Sequence, residues 1–314
     1  MTGYVVRRVA QSLLALLGVS VVVFSLMHLV PGDPVRTALG TRFDQEAYEA
    51  LRARAGLDRP VLVQYAQWLG GVLTGDLGVS FRSGRSVSDV IMARVPATAL
   101  LAGASLLVAL AIALPAGIVS AIRQGKPIDY VATALSQIGV SIPDFWYGIM
   151  LILVFSLWLG WLPPSGYVSP LEDPTEFLRR VTMPAVTIGV VTGAILTRFT
   201  RSSVLESLNA EHVRLARAKG LPEGRILREH VLRNAWIPIV TVTGLQLATL
   251  LGGIVVVEVV FAWPGLGRLA LDAVVNRDYP VMQGAVLVIA AAFLVINLLV
   301  DLLYARLDPR ISYS

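Results

Sequence analysis

The residues best equipped for chemistry lie between Glu211 and Pro238, where the chain reads EHVRLARAKGLPEGRILREHVLRNAWIP, its most basic segment. Residues Ala210 to Lys219 can be helical, with small Ala216 and Ala218 among Arg214, Arg217 and Lys219. Gly220 suits a left-handed helix end, and Pro222 can open the next helix, where its missing N–H costs nothing. Ile226, Leu227, Val231 and Leu232 then recur at helical spacing, with Arg225, Arg228 and Arg233 on other faces. The spacing predicts helix, tight turn, helix, held out of a membrane by its charge. Taken alone, these residues also fit a solvated membrane-surface loop that only sets topology.

Covalent and metal chemistry have no comparable candidate. No G-x-x-x-x-G-K-S/T phosphate loop occurs, so the chain does not hydrolyse ATP by that route. Pro264-Gly-Leu-Gly267 carries glycines without a following lysine and reads as a turn. H-E-x-x-H and G-x-S-x-G are absent. So is cysteine, which excludes disulfides and thiolate metal sites. His28, His212 and His230 are far apart, and the last two read as polar surface flanking the basic segment. The expected catalytic, cofactor-binding and metal-binding residues are therefore none.

The elements that must position the basic segment are membrane spans. Hydrophobic residues make up 55% of the chain and charged ones 15%, too little polar surface to cover a soluble protein of 314 residues. The mean hydropathy is +0.71. A nucleic-acid partner needs a basic face on a folded soluble domain, and none is visible. After a short basic start at Met1 to Arg8, residues 9–32 carry no charged side chain, long enough to span as a helix. Arg7 and Arg8 before an apolar core also fit a signal peptide. The run is longer than a usual signal core, however, and ends in His28-Leu-Val-Pro-Gly without a small-x-small cleavage site, so an uncleaved span is expected.

Residues 33–94 are polar, with Asp33, Asp44, Glu46, Glu49, Asp58, Asp76 and Asp89 against eight arginines. Turn signals stand at Gly56, Asp58-Arg-Pro60, Gly70-Gly71 and Gly84. Two amphipathic helices are expected there, FDQEAYEALRARAG with Asp44 as a cap and VLVQYAQWLGGVL. Uncharged runs follow at 95–122, 130–143, Phe145 to Pro170, 181–197, 234–257 and 279–300. The 14 residues of 130–143 are too short to span alone, and Pro143 should kink or end a helix there. Interrupted helices at membrane depth line pathways or mark plain kinks between packed helices. Trp158, Trp161, Pro163-Pro164 and Tyr167 mark a membrane interface. Gly189 and Gly193, four apart, permit close helix packing. Six spans result. With the N-terminus inside, the inner segments hold 14 Lys and Arg and the short outer loops 4, which puts both termini and the basic segment on the cytoplasmic side.

Several stretches resemble one family. ARAKGL with HVLRNAWIP, PGDP, GLDRPVLVQYAQWLGG, GDLGVSFRSGR, a Ser-x-Pro-x-Phe element at Ser141 to Phe145, EVVFAWPGLG, RDYPVMQGAV and NLLVDLLYARLDPR are similar to the dipeptide, oligopeptide and nickel permeases of ATP-binding-cassette importers, first-subunit side. The likeness runs from Arg7-Arg8 to Asp308-Pro309-Arg310. It implies an all-α polytopic membrane protein with about six transmembrane helices, the type I importer permease fold. It implies three parts: residues 1–32 as cytoplasmic start and first helix, 33–94 as extracytoplasmic insert, and 95–314 as permease core with a cytoplasmic coupling loop at 199–236. The implied function is a permease subunit, itself not an enzyme and without cofactor, forming half of a peptide pathway across a bacterial cytoplasmic (inner) membrane. The implied partners are a second homologous permease, two ATP-binding-cassette ATPases, an extracytoplasmic substrate-binding protein and the lipid bilayer. Nickel, haem or another small solute fits the same scaffold, and an ion-gradient-driven secondary transporter is the rival class.

By the same resemblance, the 211–221 helix is the coupling element, with Arg214, Ala216, Arg217, Ala218, Lys219, Gly220 and Leu221 as its contact residues. Where the general motif has an acid six residues before the glycine, this chain has Arg214, so contacts of that acid do not carry over. Candidate pathway residues are Ser141, Pro143, Asp144, Phe145 and Glu258. A carboxylate at Glu258, five residues before Trp263, is costly in a span unless it reaches water, a partner or the pathway. It either meets a cationic substrate group such as a peptide amine, or snorkels, or pairs with a cation such as Arg268. Asp144 carries the same two readings, functional and structural, and Asp301 reads as an interfacial acid facing cytoplasmic water.

Overall fold

The computed structural model describes residues 2–29, 32–33, 35–36, 44–54 and 56–307. Pro31 and Pro34 of PGDP and the Asp308-Pro309-Arg310 end of the family likeness lie outside the described residues. Among the described residues the architecture is all helix, with one isolated antiparallel bridge between Val79 and Ser86. Two compact units divide the chain, residues 1–99 with 264–295 and residues 100–263 with 296–314.

In the first unit, α1 (Thr2–Leu29) meets the polar 33–94 insert through α3 (Val61–Thr74). Ser20 Oγ lies 2.8 Å from the Tyr65 hydroxyl, and His28 Nε2 lies 3.1 Å from Gln64 Oε1. Phe24 packs edge-on to Tyr65 at 5.3 Å. The expected amphipathic helix around Asp44 forms as α2 (Gln45–Arg54). The turn signal at Gly70-Gly71 sits inside α3 instead, and the helix stops at left-handed Gly75 (φ 85°). Asp76 N–H closes that stop onto the Gly71 carbonyl at 2.9 Å. A Cβ on Gly71 would stand 2.8 Å from the Asp76 carbonyl oxygen, so the glycine serves the chain reversal from inside the helix. The unit continues with α4 (Val87–Met92), and α5 (Val95–Ile122) begins in it. It closes with α12 (Leu266–Val275), which follows the Pro264-Gly-Leu-Gly267 turn, and the first part of α13 (Tyr279–Leu307). Asp278, before α13, accepts from Ser80 Oγ at 2.5 Å and from Phe81 N–H at 3.2 Å.

The second unit is built around α8 (Pro174–Leu208), 35 residues where the uncharged run predicts 17. Asp173 explains its early start, since its carboxylate accepts from the N–H groups of Thr175 and Glu176 at 2.9 and 3.0 Å while Pro174 occupies the first turn. At 1.5 Å per residue α8 is roughly 50 Å long, well beyond a bilayer core of about 30 Å. Its charged end therefore projects and carries the basic segment. Against α8 packs α5, and the glycine spacing has its use here. A Cβ on Gly189 would lie 2.6 Å from Val108 Cγ1, and one on Gly193 would lie 3.1 Å from the Ala109 carbonyl oxygen. On the α5 side, a Cβ on Gly117 would lie 2.6 Å from Thr200 Cβ. These helices meet backbone to backbone.

Among the described residues, four helices are long and apolar enough to cross a membrane, over Val5–Leu29, Val87–Ile122, Pro174–Leu208 and Tyr279–Tyr304. Two bent pairs raise the number to six if each is one span: Pro127–Ser141 with Asp144–Trp158, and Glu223–Leu250 with Gly252–Val260. The first pair, α6 (Pro127–Ser141) and α7 (Asp144–Leu151) with its π-helical continuation Ile152–Trp158, bends by 99°. Ile142 and Pro143 are both extended at the break (ψ 131° and 138°). A residue before proline is pushed out of the helical region and the proline offers no N–H, which puts the interruption where the sequence predicts it.

Candidate functional site

The basic segment folds as α9 (Glu211–Ala218), a turn, and α10 (Glu223–Arg225), which runs through a π-helical stretch Ile226–Leu232 into α11 (Arg233–Val260). Charge and apolar periodicity sort the faces of α9. Val213 and Ala216 are buried at 0% and 4% exposure, in one cluster with Ala121, Val204, Ile226, Val231, Ala235 and Ile239. Burying Val213 contributes roughly 1.5–3 kcal/mol to that seat. Arg214, Leu215, Arg217, Ala218 and Lys219 face outward, Leu215 at 62% exposure. The outward face is thus an apolar knob ringed by cations.

Gly220 ends the helix at φ +75°, a conformation that carries a penalty for any residue with a Cβ, and nothing packs against its open side. Its N–H reaches the Arg217 carbonyl at 2.9 Å, and the Leu221 N–H reaches Ala216 at 3.3 Å. Arg217 then spans the turn, with Nε 2.8 Å from Glu223 Oε1 and Nη2 3.3 Å from Oε2. That hydrogen bond pushes the Arg217 guanidinium above its ordinary pKa. Both partners are exposed, so the pair sets the turn's geometry more than its stability. Behind the turn, Ser207 Oγ donates to the Val231 carbonyl at 3.0 Å from a buried position. His212 is exposed, its Nε2 3.0 Å from Asn234 Nδ2 and 3.3 Å from the His230 carbonyl oxygen.

The pathway candidates fall in two environments. Ser141, Pro143 and Phe145 lie exposed at the 99° break, with Asp144 half-buried in the first turn of α7. Ser141 Oγ donates back to the Gln137 carbonyl at 2.8 Å, and the Pro143 carbonyl accepts from Trp146 and Tyr147 at 3.0 and 3.2 Å. Glu258, near the end of α11, is wholly buried. The two elements do meet, because a Cβ on Gly148 of α7 would lie 3.0 Å from Phe261. Beyond Phe261 the chain turns through Ala262 into Trp263, which packs edge-on to Tyr167 at 4.9 Å.

One polar group was not legible in the sequence. Asp129, 3% exposed in the first turn of α6, receives Arg201 of α8 in a two-pronged pair, Nε to Oδ1 at 2.7 Å and Nη2 to Oδ2 at 2.9 Å. Ser120 Oγ of α5 donates to Oδ1 at 2.5 Å, and the Gly125 N–H to Oδ2 at 2.9 Å. The partners stand 72 residues apart in the chain, each beside an apolar run where a charge reads as a topology signal. The one local clue is Gly125 between Arg123 and Lys126, a tight turn that needs an acceptor for its N–H.

Comparison with known proteins adds the family. Residues 113–313 match the family described as binding-protein-dependent transport system inner membrane component, and residues 1–102 match its N-terminal companion family. The oligopeptide transport system permease protein AppB of Bacillus subtilis is 43% identical over 319 residues, covering 100% of both chains. The dipeptide transport system permease protein DppB of Escherichia coli K12 is 38% identical over 338 residues, again with 100% of each covered. Among solved structures, an inward-facing MetNI methionine ABC transporter matches with a TM-score of 0.59 at 18% identity, covering 70% of this chain and 96% of that one. An amino acid ABC transporter matches with a TM-score of 0.53 at 16% identity, over 71% and 95%. These structures share the fold. With the family match over most of its length and full-length relatives near 40% identity, the chain belongs to the inner membrane components of binding-protein-dependent transport systems.

Proposed function

We propose that this chain forms half of the translocation pathway of an ATP-driven importer for peptides, and that α9 receives the stroke of partner ATPases. The observation that carries the reading is α9 itself. Its inner face is seated on the ends of α5 and α8, and its outer face presents Leu215 among Arg214, Arg217 and Lys219. An apolar knob ringed by fixed cations fits an apolar groove with an acidic rim, and Gly220 with the Arg217–Glu223 pair fixes how far the knob stands out. The names of the full-length relatives supply the substrate class, dipeptides and oligopeptides. A second homologous permease, two ATPases and an extracytoplasmic binding protein complete the assembly, and the polar 33–94 insert faces the binding protein. Ser141, Pro143, Asp144 and Phe145 line the pathway at the break in the third span, and Glu258 lies buried near the end of α11. The chain needs no ATP site of its own, since hydrolysis resides in the partners.

The test is reconstitution of the assembled complex in proteoliposomes with peptide uptake and ATP hydrolysis measured together. Gly220→Val forces a β-branched residue into the left-handed region, and Arg217→Glu breaks the closure of the turn. Both are expected to leave the complex assembled and to sever uptake from hydrolysis. Peptide uptake per ATP equal to that of the parent in both variants would sink the assignment of α9. Gradient-driven uptake by the chain alone would sink the importer reading itself.

A further inference from the structure

We propose that Asp129 and Arg201 form a transmission clamp, a positioning pair that makes the α5–α6 turn move as one body with the end of α8 and with α9. The inference rests on α9 being the coupling helix. Its own evidence is the geometry of the clamp and where the clamp sits.

The Asp129 carboxylate is the node of three elements. Oδ1 accepts from Ser120 of α5 and from Arg201 of α8, and Oδ2 accepts from the Gly125 N–H of the connecting turn and again from Arg201. Arg201 Nε also lies 3.1 Å from Ser120 Oγ. A two-pronged guanidinium–carboxylate pair is stiff in direction as well as distance, so a slide of α8 along α5 breaks it at once. Burial makes that break costly, because Asp129 is 3% exposed and a stranded carboxylate there has little water to turn to. A buried ion pair is a poor stabiliser compared with apolar packing, which leaves fixed relative position as its distinctive contribution.

Its place in the fold gives the clamp something to transmit. Ala121 is the next residue after Ser120, and Val204 lies three after Arg201, on the same face of α8. Both belong to the apolar cluster that seats Val213 and Ala216 of α9. Nearer the tip of the coupling turn, a cleft of about 380 Å³ opens between Gln124, Asn209, Arg217 and Leu227. Across that cleft the α5–α6 turn is not packed against the Arg217–Glu223 closure. The apolar seat and the clamp therefore tie these elements together behind it. From Asp129, α6 runs as one uninterrupted helix to Ser141, a rod of roughly 18 Å that ends at the 99° break. A displacement of α9 that carries α8 and the clamp thus arrives at the candidate pathway residues through a rigid element.

The experiment uses the assembled complex in nanodiscs and proteoliposomes, with Asp129→Asn and Arg201→Lys. Asn keeps the volume of Asp but turns one of its two acceptor oxygens into an amide NH2 that faces the surrounding donors, and Lys keeps the charge of Arg but loses the fork. Because the chain has no cysteine, spin labels can be placed at exposed Gln124→Cys and Asn209→Cys, on either side of the cleft. In the parent the label distance is expected to stay single-valued with and without ATP. In Asp129→Asn it should broaden in one nucleotide state, while uptake per ATP falls by about 5- to 150-fold, the range of a typical coupling free energy. Arg201→Lys should show the smaller loss. Assembled complexes with parental uptake per ATP and a parental distance in both variants would overturn the proposal. Failure of both variants to assemble would also overturn it, since the pair would then only hold the fold. Arg217→Glu, measured alongside, separates the two readings. If it uncouples and Asp129→Asn does not, the clamp alone is wrong. If Arg217→Glu and Gly220→Val both keep full coupling, the assignment of α9 is wrong.

Discussion

Gly117 allows the packing of α5 on α8 to be measured as a difference between two substitutions in one helix. A Cβ at Gly117 would stand 2.6 Å from Thr200 Cβ, 2.8 Å from Thr200 Cγ2 and 2.9 Å from the Thr197 carbonyl oxygen. At Gly103, in the same helix and exposed, nothing lies within 4 Å of the added methyl. Replacing either by Ala gains about 1 kcal/mol of helix propensity, a contribution that cancels between them. What remains is the clash. Moving the Thr197 oxygen out to an ordinary contact parts the helices by roughly 0.5 Å, enough to forfeit a quarter or more of the dispersion at each atom pair along the seam. The overpacking cost is about 1–3 kcal/mol. Thermal unfolding of the purified protein in one detergent, followed by tryptophan fluorescence, should place Gly117→Ala below the parent and Gly103→Ala at or above it. Adding Thr200→Ala to Gly117→Ala should not restore stability, because the Cβ of residue 200 and the Thr197 carbonyl both stay in place. If Gly117→Ala is as stable as Gly103→Ala, the backbone-to-backbone contact of α5 and α8 is wrong.

Ala262 sits at φ +50°, where a Cβ costs about 1–2 kcal/mol and a glycine loses about 0.5–1 kcal/mol in chain entropy. Ala262→Gly should therefore raise stability by about 0.5–1 kcal/mol in the same unfolding assay, and a lower midpoint would refute the strained turn. Asp33 lies in the polar 33–94 insert, and burial pushes its carboxyl up. The Tyr48 hydroxyl at 2.6 Å and the N–H groups of Arg36 and Val35 outweigh burial and hold the carboxyl below its ordinary value of 3.8. The stability it lends is thus full above that value and is lost as pH falls through the lower folded one. The midpoint difference between the parent and Asp33→Asn should accordingly hold steady from neutral pH down to about 4 and shrink below it. A difference that grows on acidification would contradict the sign.

What was legible in the sequence was whatever depends on neighbours in the chain. Gly220 before Pro222 announced the left-handed end of α9, and Pro143 announced the break between α6 and α7, because both act on the backbone within one or two residues. The glycine pair Gly189 and Gly193 announced a close approach without naming its partner, which is α5. Local signals misled where a longer contact decides. Gly70-Gly71 carried a turn signal inside the expected helix VLVQYAQWLGGVL; the helix forms, the reversal comes at Gly75, and Gly71 makes room for it. The uncharged run of 181–197 gave α8 half its length, since hydropathy stops at the first charge while a helix stops only where its caps do.

Charge is where the sequence said least. In an apolar chain a cation beside a hydrophobic run reads as a topology signal whether it faces water or a carboxylate, and Arg198 and Arg201 look alike on that ground. Only the fold separates them, because Arg201 turns inward onto an aspartate 72 residues away. The acids behave likewise. Asp173 caps a helix in water, whereas Asp129, Glu258 and Asp278 are buried. Burying a carboxylate is worthwhile only where it holds something in place, and for two of these acids the structure identifies what is held. Asp278 holds the Ser80 hydroxyl and the Phe81 N–H of the 33–94 insert at the start of α13, and Asp129 holds α5 and α8 at the root of α9. One buried acid thus organises the segment expected to meet a binding protein, and another the segment expected to meet an ATPase. Under the importer function proposed above, a half-pathway driven from one face and loaded from the other needs its lever and its platform held to its spans. Asp129 and Asp278 are the residues proposed for that task.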